Sequence, residues 1–399
     1  MKILGIETSC DETAASVVED GMKILSNVVV SQIDIFAAYG GVIPEVAARS
    51  HLEAIQPVIE KSLKDADLTW DDIDAIAVTH TPGLLGSLLI GTLTARTLAI
   101  LHNKPLYPVH HLKSHIYANW ILKSTGVAQN TLLRKYPEVT TEDKGTNPVT
   151  TGVSNPSFGK SICDRTPEIH SKTKQNVEKV NPTFPLLAMV ISGGHTQILY
   201  MEEHNHFEII GTTLDDAIGE CFDKVAKILG LPYPGGPEIS KTAKKGNRNR
   251  YQLPRPKIQD LNFSFSGLKT AVLRAVQKEV GVPISYPSHE LKNLLSEQQI
   301  YDFAASFEKT ATEIILEKLK TAQNQYPSAK SIVFAGGVSA NEYLRENAKK
   351  LKTPVFFPEK SLSGDNGAMV ASAAYYEIIS SVKPSNPYKL NILPRSAIK

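Results

Sequence analysis

The order of apolar and polar positions predicts a mixed α/β protein with two related halves. Apolar runs typical of strands lie at residues 1–6, 14–19, 74–79, 331–334 and 354–357. A helical pattern at 84–99 follows the turn Pro82-Gly83, and another buried strand pattern begins directly after Pro185. Several of these strands end in glycine-rich or tight turns. We therefore expect two α/β lobes whose turns point into one cleft.

Changes in this pattern divide the chain into four parts. The first lobe is expected at residues 1–118, completed by a helix at about 366–382, and the second lobe is expected at 184–365. Residues 122–183 are rich in Thr, Asn, Ser, Lys and Pro and have no apolar period, so they predict a polar, largely irregular insertion. Residues 383–399 contain several Pro and Asn residues and predict a loose tail.

Composition limits the classes of function. A length of 399 residues fits about two domains with additional sequence. With 43 basic and 41 acidic side chains, the chain has no global basic field, so any nucleic-acid surface would be local or shared with a partner. The three cysteines are far apart, which predicts neither a disulfide framework nor a cysteine-rich zinc site. No membrane span or targeting segment is expected, and the cytoplasm is the expected location.

Two glycine-rich turns are candidate nucleotide contacts. Ser192, Gly193 and Gly194 follow one apolar strand, and a Gly-Gly turn ending in Asn341 follows another. Backbone amides in such turns can bind phosphate, although many glycine turns only reverse the chain. Neither turn has the P-loop or dinucleotide-binding spacing. One hypothesis is therefore that the two turns bind a nucleotide, with its phosphates near Ser192 and its adenine near Asn341.

Further polar residues lie near predicted turns. Asp223 and Lys224 follow a cluster of acids at a predicted helix start and are candidates for ribose contacts. Thr8 and Ser9 lie in the tight turn after the first strand and are candidates for phosphate binding or positioning.

A histidine pair gives the main metal signal. His111 and His115 are four residues apart, so on a helix they lie on one face and can share an ion. Leu112 stands where the zinc proteases have their catalytic glutamate, which argues against a protease. Asp365, on a Gly-flanked turn, is either a third ligand or a helix N-cap. Two histidines and a carboxylate suit one divalent metal, Fe²⁺ or Zn²⁺.

Nine blocks, in order, resemble the universal tRNA threonylcarbamoyladenosine synthase family, whose bacterial form is TsaD and whose archaeal and eukaryotic form belongs to KEOPS. The blocks include GIETSCDET at 5–13, VHHLKSH at 109–115, SGGHTQ at 192–197, GGVSAN at 336–341 and SGDNGAMVA at 363–371. The resemblance implies a two-lobed ASKHA fold, like that of actin, Hsp70 and sugar kinases. It also implies transfer of threonylcarbamoyl from threonylcarbamoyl-AMP to N6 of the adenine 3′ of the anticodon, in tRNAs reading codons that start with A. The implied products are N6-threonylcarbamoyladenosine and AMP.

Carried over residue by residue, the resemblance implies a metal site, with iron favoured, at His111, His115 and Asp365. The substrate contacts that it implies are Val190, Ile191, Ser192, Gly193, Gly194, Asp223, Gly236 and Asn341. The implied partners are tRNA, a paralogue called TsaB that dimerises with the first lobe, and a P-loop ATPase called TsaE. The chain departs from the family at Lys113-Ser114, where Glu-Gly is common, and at Ser363-Gly364, where Cys-Thr is common.

Two other functions stay open on the residues alone. A small-molecule kinase of the ASKHA fold would fit the turn at Thr8 and Ser9, although such kinases use Mg²⁺ with carboxylates rather than histidines. A non-catalytic, nucleotide-binding assembly subunit would fit the balanced net charge.

Overall fold

The computed structural model describes residues 1–122, 131–132, 181–256, 258–396 and 398. The insertion expected at 122–183 therefore lies almost entirely outside the described residues. The strands are β1 (Lys2–Glu7), β2 (Glu12–Glu19), β3 (Lys23–Ser31), β4 (Ala75–Thr81), β5 (Leu106–His110), β6 (Thr131–Leu132), β7 (Leu186–Ile191), β8 (Thr196–Glu203), β9 (His206–Thr212), β10 (Ser331–Ala335) and β11 (Val355–Phe356).

Helices lie between groups of these strands along the chain. They are α1 (Ile33–Ala37), α2 (Pro44–Asp65), α3 (Leu85–Leu101), α4 (His111–Tyr117), α5 (Ile218–Ile228), α6 (Gly235–Ala243), α7 (Ser266–Glu279), α8 (Glu297–Gln325), α9 (Glu342–Ala348) and α10 (Gly367–Ile379). Within the described ranges, no helix combines the length and the apolar character that crossing a membrane requires.

In the described residues the two sheets share one topology over five strands, and β6 extends the first sheet beside β3. The first has the strand order β5-β4-β1-β2-β3-β6, and the second has the order β11-β10-β7-β8-β9. In each sheet an antiparallel three-strand meander comes first, and two parallel strands then extend the sheet beside its first strand. Parallel strands need crossover helices, and α3 supplies the crossover between β4 and β5.

Both faces of the second sheet are buried at its central strands, β7 and β10. Along β7 every side chain is shielded from solvent, which explains why its sequence is a continuous apolar run rather than an alternating one. Leu187, Met189 and Ile191 face a core that includes helices α5 to α8. Ala188 and Val190 face the opposite core, which contains residues of the first sheet. The alternation follows from the period of two in a β-strand.

Helices α4 and α10 contribute to the core that both sheets share. Apolar residues of α4 and α10 pack there with Ile3 of the first sheet and Val333 of the second. Helix α10 lies directly on β1, because Gly5 and Gly367 allow the two backbones to approach closely. A Cβ atom on Gly5 would lie 2.2 Å from the carbonyl oxygen of Gly367. The last helix among the described residues is thus packed against the first strand.

The C-terminal tail is hydrogen bonded to the first lobe. Ser385 pairs with Leu106 of β5, Leu393 N–H donates to the carbonyl of His80, and the carbonyl of Pro394 accepts from Gly83 N–H. The Arg96 guanidinium also donates to carbonyls of the tail. Composition predicted a loose terminus, but backbone groups of residues 385–394 find partners on the first lobe that no local pattern reveals.

Candidate active site

His111 and His115 are placed side by side by the junction of β5 and α4. Strand β5 ends at His110 and the helix begins at the next residue, so both histidines project from the first turns of α4. Their rings meet edge to face with centroids 4.6 Å apart. Both side chains are buried, with 9% and 1% of their surface exposed. The shared face predicted from their spacing is confirmed.

Asp365 approaches both histidines from the turn before α10. Its Oδ1 lies 3.1 Å from Nε2 of His115 and 3.7 Å from Nε2 of His111. The N-cap of α10 is the next residue, Asn366, whose side chain accepts a hydrogen bond from Met369 N–H at 2.9 Å. Because Asn366 satisfies the helix, the carboxylate of Asp365 is left to face the histidines.

Glu7 is a site residue that the sequence reasoning missed. It is fully buried at the end of β1 and accepts hydrogen bonds of 2.6 Å from Ser9 N–H and from the Thr79 hydroxyl. Its Oε2 also lies 3.2 Å from Nδ1 of His111. A carboxylate beside Nδ1 of His111 accepts a hydrogen bond from the ring proton at that nitrogen. The lone pair of the neutral ring is then on Nε2, the nitrogen that faces Asp365. The available signal was a charged residue at the end of a strand whose preceding four residues are apolar.

The histidines and carboxylates of the site favour each other's charged forms. Burial lowers the pKa of His111, but the carboxylates of Asp365 and Glu7 outweigh burial and raise that pKa to about 9. Burial raises the pKa of Asp365, but the charges of His111 and His115 outweigh it and lower that pKa to about 2. At neutral pH an imidazolium therefore faces a carboxylate. A divalent cation is attracted to the same carboxylate and would displace the proton of His111.

The turn after β7 presents glycines to open space. Ser192 N–H donates to the carbonyl of His195, and the Ser192 hydroxyl accepts from His195 N–H at 3.1 Å, which closes the turn. A Cβ atom on Gly193 or Gly194 would meet no atom within 4 Å. The side chains of Val190 and Ile191 are buried in the two cores, so only the backbone of these two residues could contact a ligand.

A second glycine turn lies against the first. Gly336, which follows β10, has a φ of 85°, and a Cβ atom there would lie 2.4 Å from the carbonyl oxygen of Ile191. Only glycine combines this dihedral angle with so close a contact. The two glycine-rich turns predicted from the sequence are therefore neighbours, at the ends of adjacent parallel strands.

Asn341 closes the second turn and caps α9. Its Oδ1 accepts from Leu344 N–H at 2.8 Å, and its Nδ2 donates to Ser240 and to the buried Glu308 at 2.7 and 2.9 Å. These bonds hold the turn to α6 and α8, which fixes where a base could lie beside it.

The remaining candidate residues differ in the hydrogen bonds and ion pairs that they already make. Asp223 Oδ1 accepts from Gly235 N–H at 2.7 Å, and the neighbouring Gly236 has open space at its Cβ position. Lys224 is paired with Asp216 and Glu220 at 2.7 and 3.0 Å. The buried Thr8 hydroxyl donates to the carbonyl of Ser87, whereas the Ser9 hydroxyl lies 3.1 Å from Nδ1 of His111. Of these residues, Ser9 is the one in contact with a site histidine.

An open cavity of about 510 Å³ lies beside His195. Its lining residues are Pro82, Gly83, His195, Pro394, Arg395 and Ser396. Burial, together with the nearby charges of His111 and His115, lowers the pKa of His195 to about 4, so this ring is neutral at pH 7. Half of the lining comes from the C-terminal tail, which the sequence reasoning left out of the site.

Comparisons with known proteins cover most of the chain. A family model described as TsaD, tRNA N6-adenosine threonylcarbamoyltransferase, matches residues 23–144 and 167–372. A protein of that description from Thermomicrobium roseum is 41% identical over 385 residues, which covers 94% of this chain and 92% of the relative. Another from Bacillus subtilis is 40% identical over 380 residues, covering 94% of this chain and 89% of the relative.

One solved structure supports the fold alone. HypF from T. kodakarensis superposes with a TM-score of 0.54 at 12% identity, covering 95% of this chain and 48% of HypF. Together with the five-strand topology that the two sheets share, this likeness confirms the predicted α/β architecture of the ASKHA type.

Proposed function

Since this chain belongs to the tRNA N6-adenosine threonylcarbamoyltransferase family and transfers threonylcarbamoyl to an adenosine of tRNA, we propose that the reaction takes place beside His111, His115 and Asp365. One observation carries this proposal. Two elements that are far apart in sequence, α4 and the turn before α10, bring their ligand atoms within 4.8 Å of one another. The chain is an acyltransferase, and neither the kinase nor the non-catalytic alternative is needed.

The three side chains fit one divalent cation, with Fe²⁺ favoured and Zn²⁺ as the alternative. Both Nε2 atoms face the same oxygen of Asp365. Nε2 of His115 is buried and makes no hydrogen bond among the described residues, which leaves this atom available to a cation. A cation held there would polarise the carbonyl group of the donor or bind its phosphate oxygens.

The protein's own residues position the two substrates. We propose that the donor is threonylcarbamoyl-AMP, with its phosphate on the amides of Gly193 and Gly194, its ribose near Asp223 and Gly236, and its adenine near Asn341. The open space at these glycines supports this placement. Ser9 and Lys224 would act in positioning, Ser9 through His111 and Lys224 through Asp216.

Bond changes follow from the two substrates. The N6 amine of the adenine 3′ of the anticodon attacks the carbamoyl carbon, and the bond from that carbon to the phosphate oxygen breaks. AMP leaves, the amine loses one proton, and N6-threonylcarbamoyladenosine remains in tRNA. We propose that the tRNAs are those reading codons that start with A. Positioning and fixed charges would supply most of the rate.

Two protein partners would act together with this chain. We propose that a paralogue of the TsaB type docks on the first lobe, where α2 and α3 expose Leu52, Leu85, Leu89 and Leu93. Three of these leucines are spaced four residues apart on α3 and form one apolar stripe. A P-loop ATPase of the TsaE type would join this pair, and the assembly would act in the cytoplasm.

Reconstitution tests the proposed site. Purified chain is mixed with threonylcarbamoyl-AMP and unmodified tRNA, with and without the two partners, and tRNA nucleosides are analysed by mass spectrometry. We expect N6-threonylcarbamoyladenosine from the wild type, and a loss of at least about 100-fold in His111→Ala and Asp365→Ala. His206→Ala, on the exposed side of β9, is the matched control. Folded variants with wild-type activity would refute the site.

A further inference from the structure

A buried ion pair joins the two helices next to the proposed metal ligands. Lys113 Nζ of α4 lies 2.8 Å from Oε1 of Glu377 on α10. The side chains are only 10% and 9% exposed. Lysine and glutamate are almost never this buried unless they are paired. The pair is therefore a built feature of the interface between α4 and α10.

Lys113 points away from the metal site. It lies two residues from both His111 and His115, and residues two apart on a helix face different directions. Its ammonium group instead approaches Glu377 and lies 5.1 Å from the ring centroid of Phe207 on β9. A role for Lys113 in contacting substrate or metal is not supported by this direction.

Lys113 lies on α4, which carries two of the proposed ligands, and Glu377 lies on α10, which directly follows the turn of the third. Helix α4 begins with His111 and contains His115, and α10 begins two residues after Asp365. Glu377 is ten residues from the start of α10, about 15 Å along its axis. On α10 the ion pair lies remote from Asp365, and on α4 it starts between the two histidines, so it resists sliding and rotation of one helix against the other.

We propose that Lys113 and Glu377 are positioning residues, a charged latch that keeps α4 and α10 in the register at which His111 and His115 face Asp365. This proposal rests on the proposed metal site. In a buried pair, losing one partner leaves an uncompensated charge, whereas reversing both charges restores a pair. The latch therefore predicts a specific pattern across single and double variants.

The measurement is Co²⁺ affinity of the purified full chain, obtained by chelator competition, together with the Co²⁺ absorption spectrum and Tm. We expect Lys113→Glu and Glu377→Lys each to weaken Co²⁺ binding by about 10-fold or more and to alter the spectrum, as a displaced ligand would. The double variant Lys113→Glu/Glu377→Lys should recover most of the affinity and the wild-type spectrum. If the single charge-reversal variants do not fold, Glu377→Asp replaces them, because it keeps the charge and only shortens the side chain. We expect it to lose less Co²⁺ affinity than a charge reversal would.

A surface ion pair provides the control. Lys23 and Glu19 are also 2.8 Å apart, but their side chains are 64% and 31% exposed, and Lys23→Met should leave Co²⁺ affinity unchanged. Folded single variants with wild-type affinity, or a double variant as weak as the singles, would overturn the latch. If the wild type itself bound no Co²⁺, the metal site would be refuted and the latch with it.

Discussion

Replacing Glu7 by glutamine would test how His111 is oriented toward the proposed metal. The two oxygens of Glu7 serve three groups: Ser9 N–H, the Thr79 hydroxyl and Nδ1 of His111. Glutamine has nearly the same size but only one oxygen. If its amide nitrogen faced His111, Nδ1 would have to accept, and the proton of the neutral ring would move to Nε2. That proton would then occupy the atom proposed to bind the metal.

The opposite orientation of the glutamine amide is also unfavourable. Its nitrogen would then face Ser9 N–H, and two donors would be opposed in a fully buried position. A buried donor without an acceptor costs about 1–3 kcal/mol. Loss of a carboxylate behind a metal-binding histidine weakens metal affinity by about 10- to 100-fold, equivalent to about 1.4–2.8 kcal/mol. The two magnitudes agree, so we expect a loss within that range for Glu7→Gln.

The assay is Co²⁺ binding by chelator competition, with Tm measured on the same samples. Glu19→Gln, at the far end of the neighbouring strand β2, removes a half-buried carboxylate that is remote from His111 and should bind Co²⁺ like the wild type. If Glu7→Gln folds and binds Co²⁺ as tightly as Glu19→Gln, Glu7 does not orient His111 and the tautomer argument is wrong.

Three further outcomes are expected. Asn366→Ala removes the N-cap of α10 and should lower the free energy of unfolding by about 1–2 kcal/mol in a denaturant titration; an unchanged midpoint would contradict the cap. Gly336→Ala should cost about 1–3 kcal/mol because of its φ of 85°, whereas Gly337→Ala, with open space at Cβ, should be nearly neutral in the same titration. Burial lowers the pKa of His204 from 6.5 to about 4, so the unfolded chain takes up this proton first and stability falls as pH drops from 6.5 to 4. His204→Phe should therefore lose less Tm than the wild type across that window, and an equal loss in both proteins would exclude this role of His204.

Local patterns were sufficient to predict elements but not their long-range pairing. The strand expected at residues 1–6 is β1, and the helix expected at 84–99 is α3, each within two residues, because the period of apolar positions records which face is buried. The parallel pairing of Ile3 with Ala75 depends on contacts between distant segments. No window of sequence contains that information.

The same limit applies to the site. Spacing alone indicated that His111 and His115 share a helix face, but Asp365 joins them only because α10 packs on β1 through Gly5 and Gly367. Whether Asp365 was a ligand or a helix cap depended on its neighbour Asn366, which takes the capping role. Glu7 was missed because its importance comes from Thr79 and His111, both remote in sequence.

The packing of α10 on β1 also sets the order in which the protein can mature on the ribosome. Strand β1 and the histidines of α4 emerge early, whereas Asp365 and α10 are synthesised much later. Until α10 has been synthesised, Ile3 and the apolar side of α4 cannot pack against it. We therefore expect the nascent first lobe to expose hydrophobic surface that chaperones can bind. Assembly of the proposed metal site must therefore follow translation of α10, and we expect a chain truncated before this helix to leave Asp365 without its position beside the histidines and to be prone to aggregation.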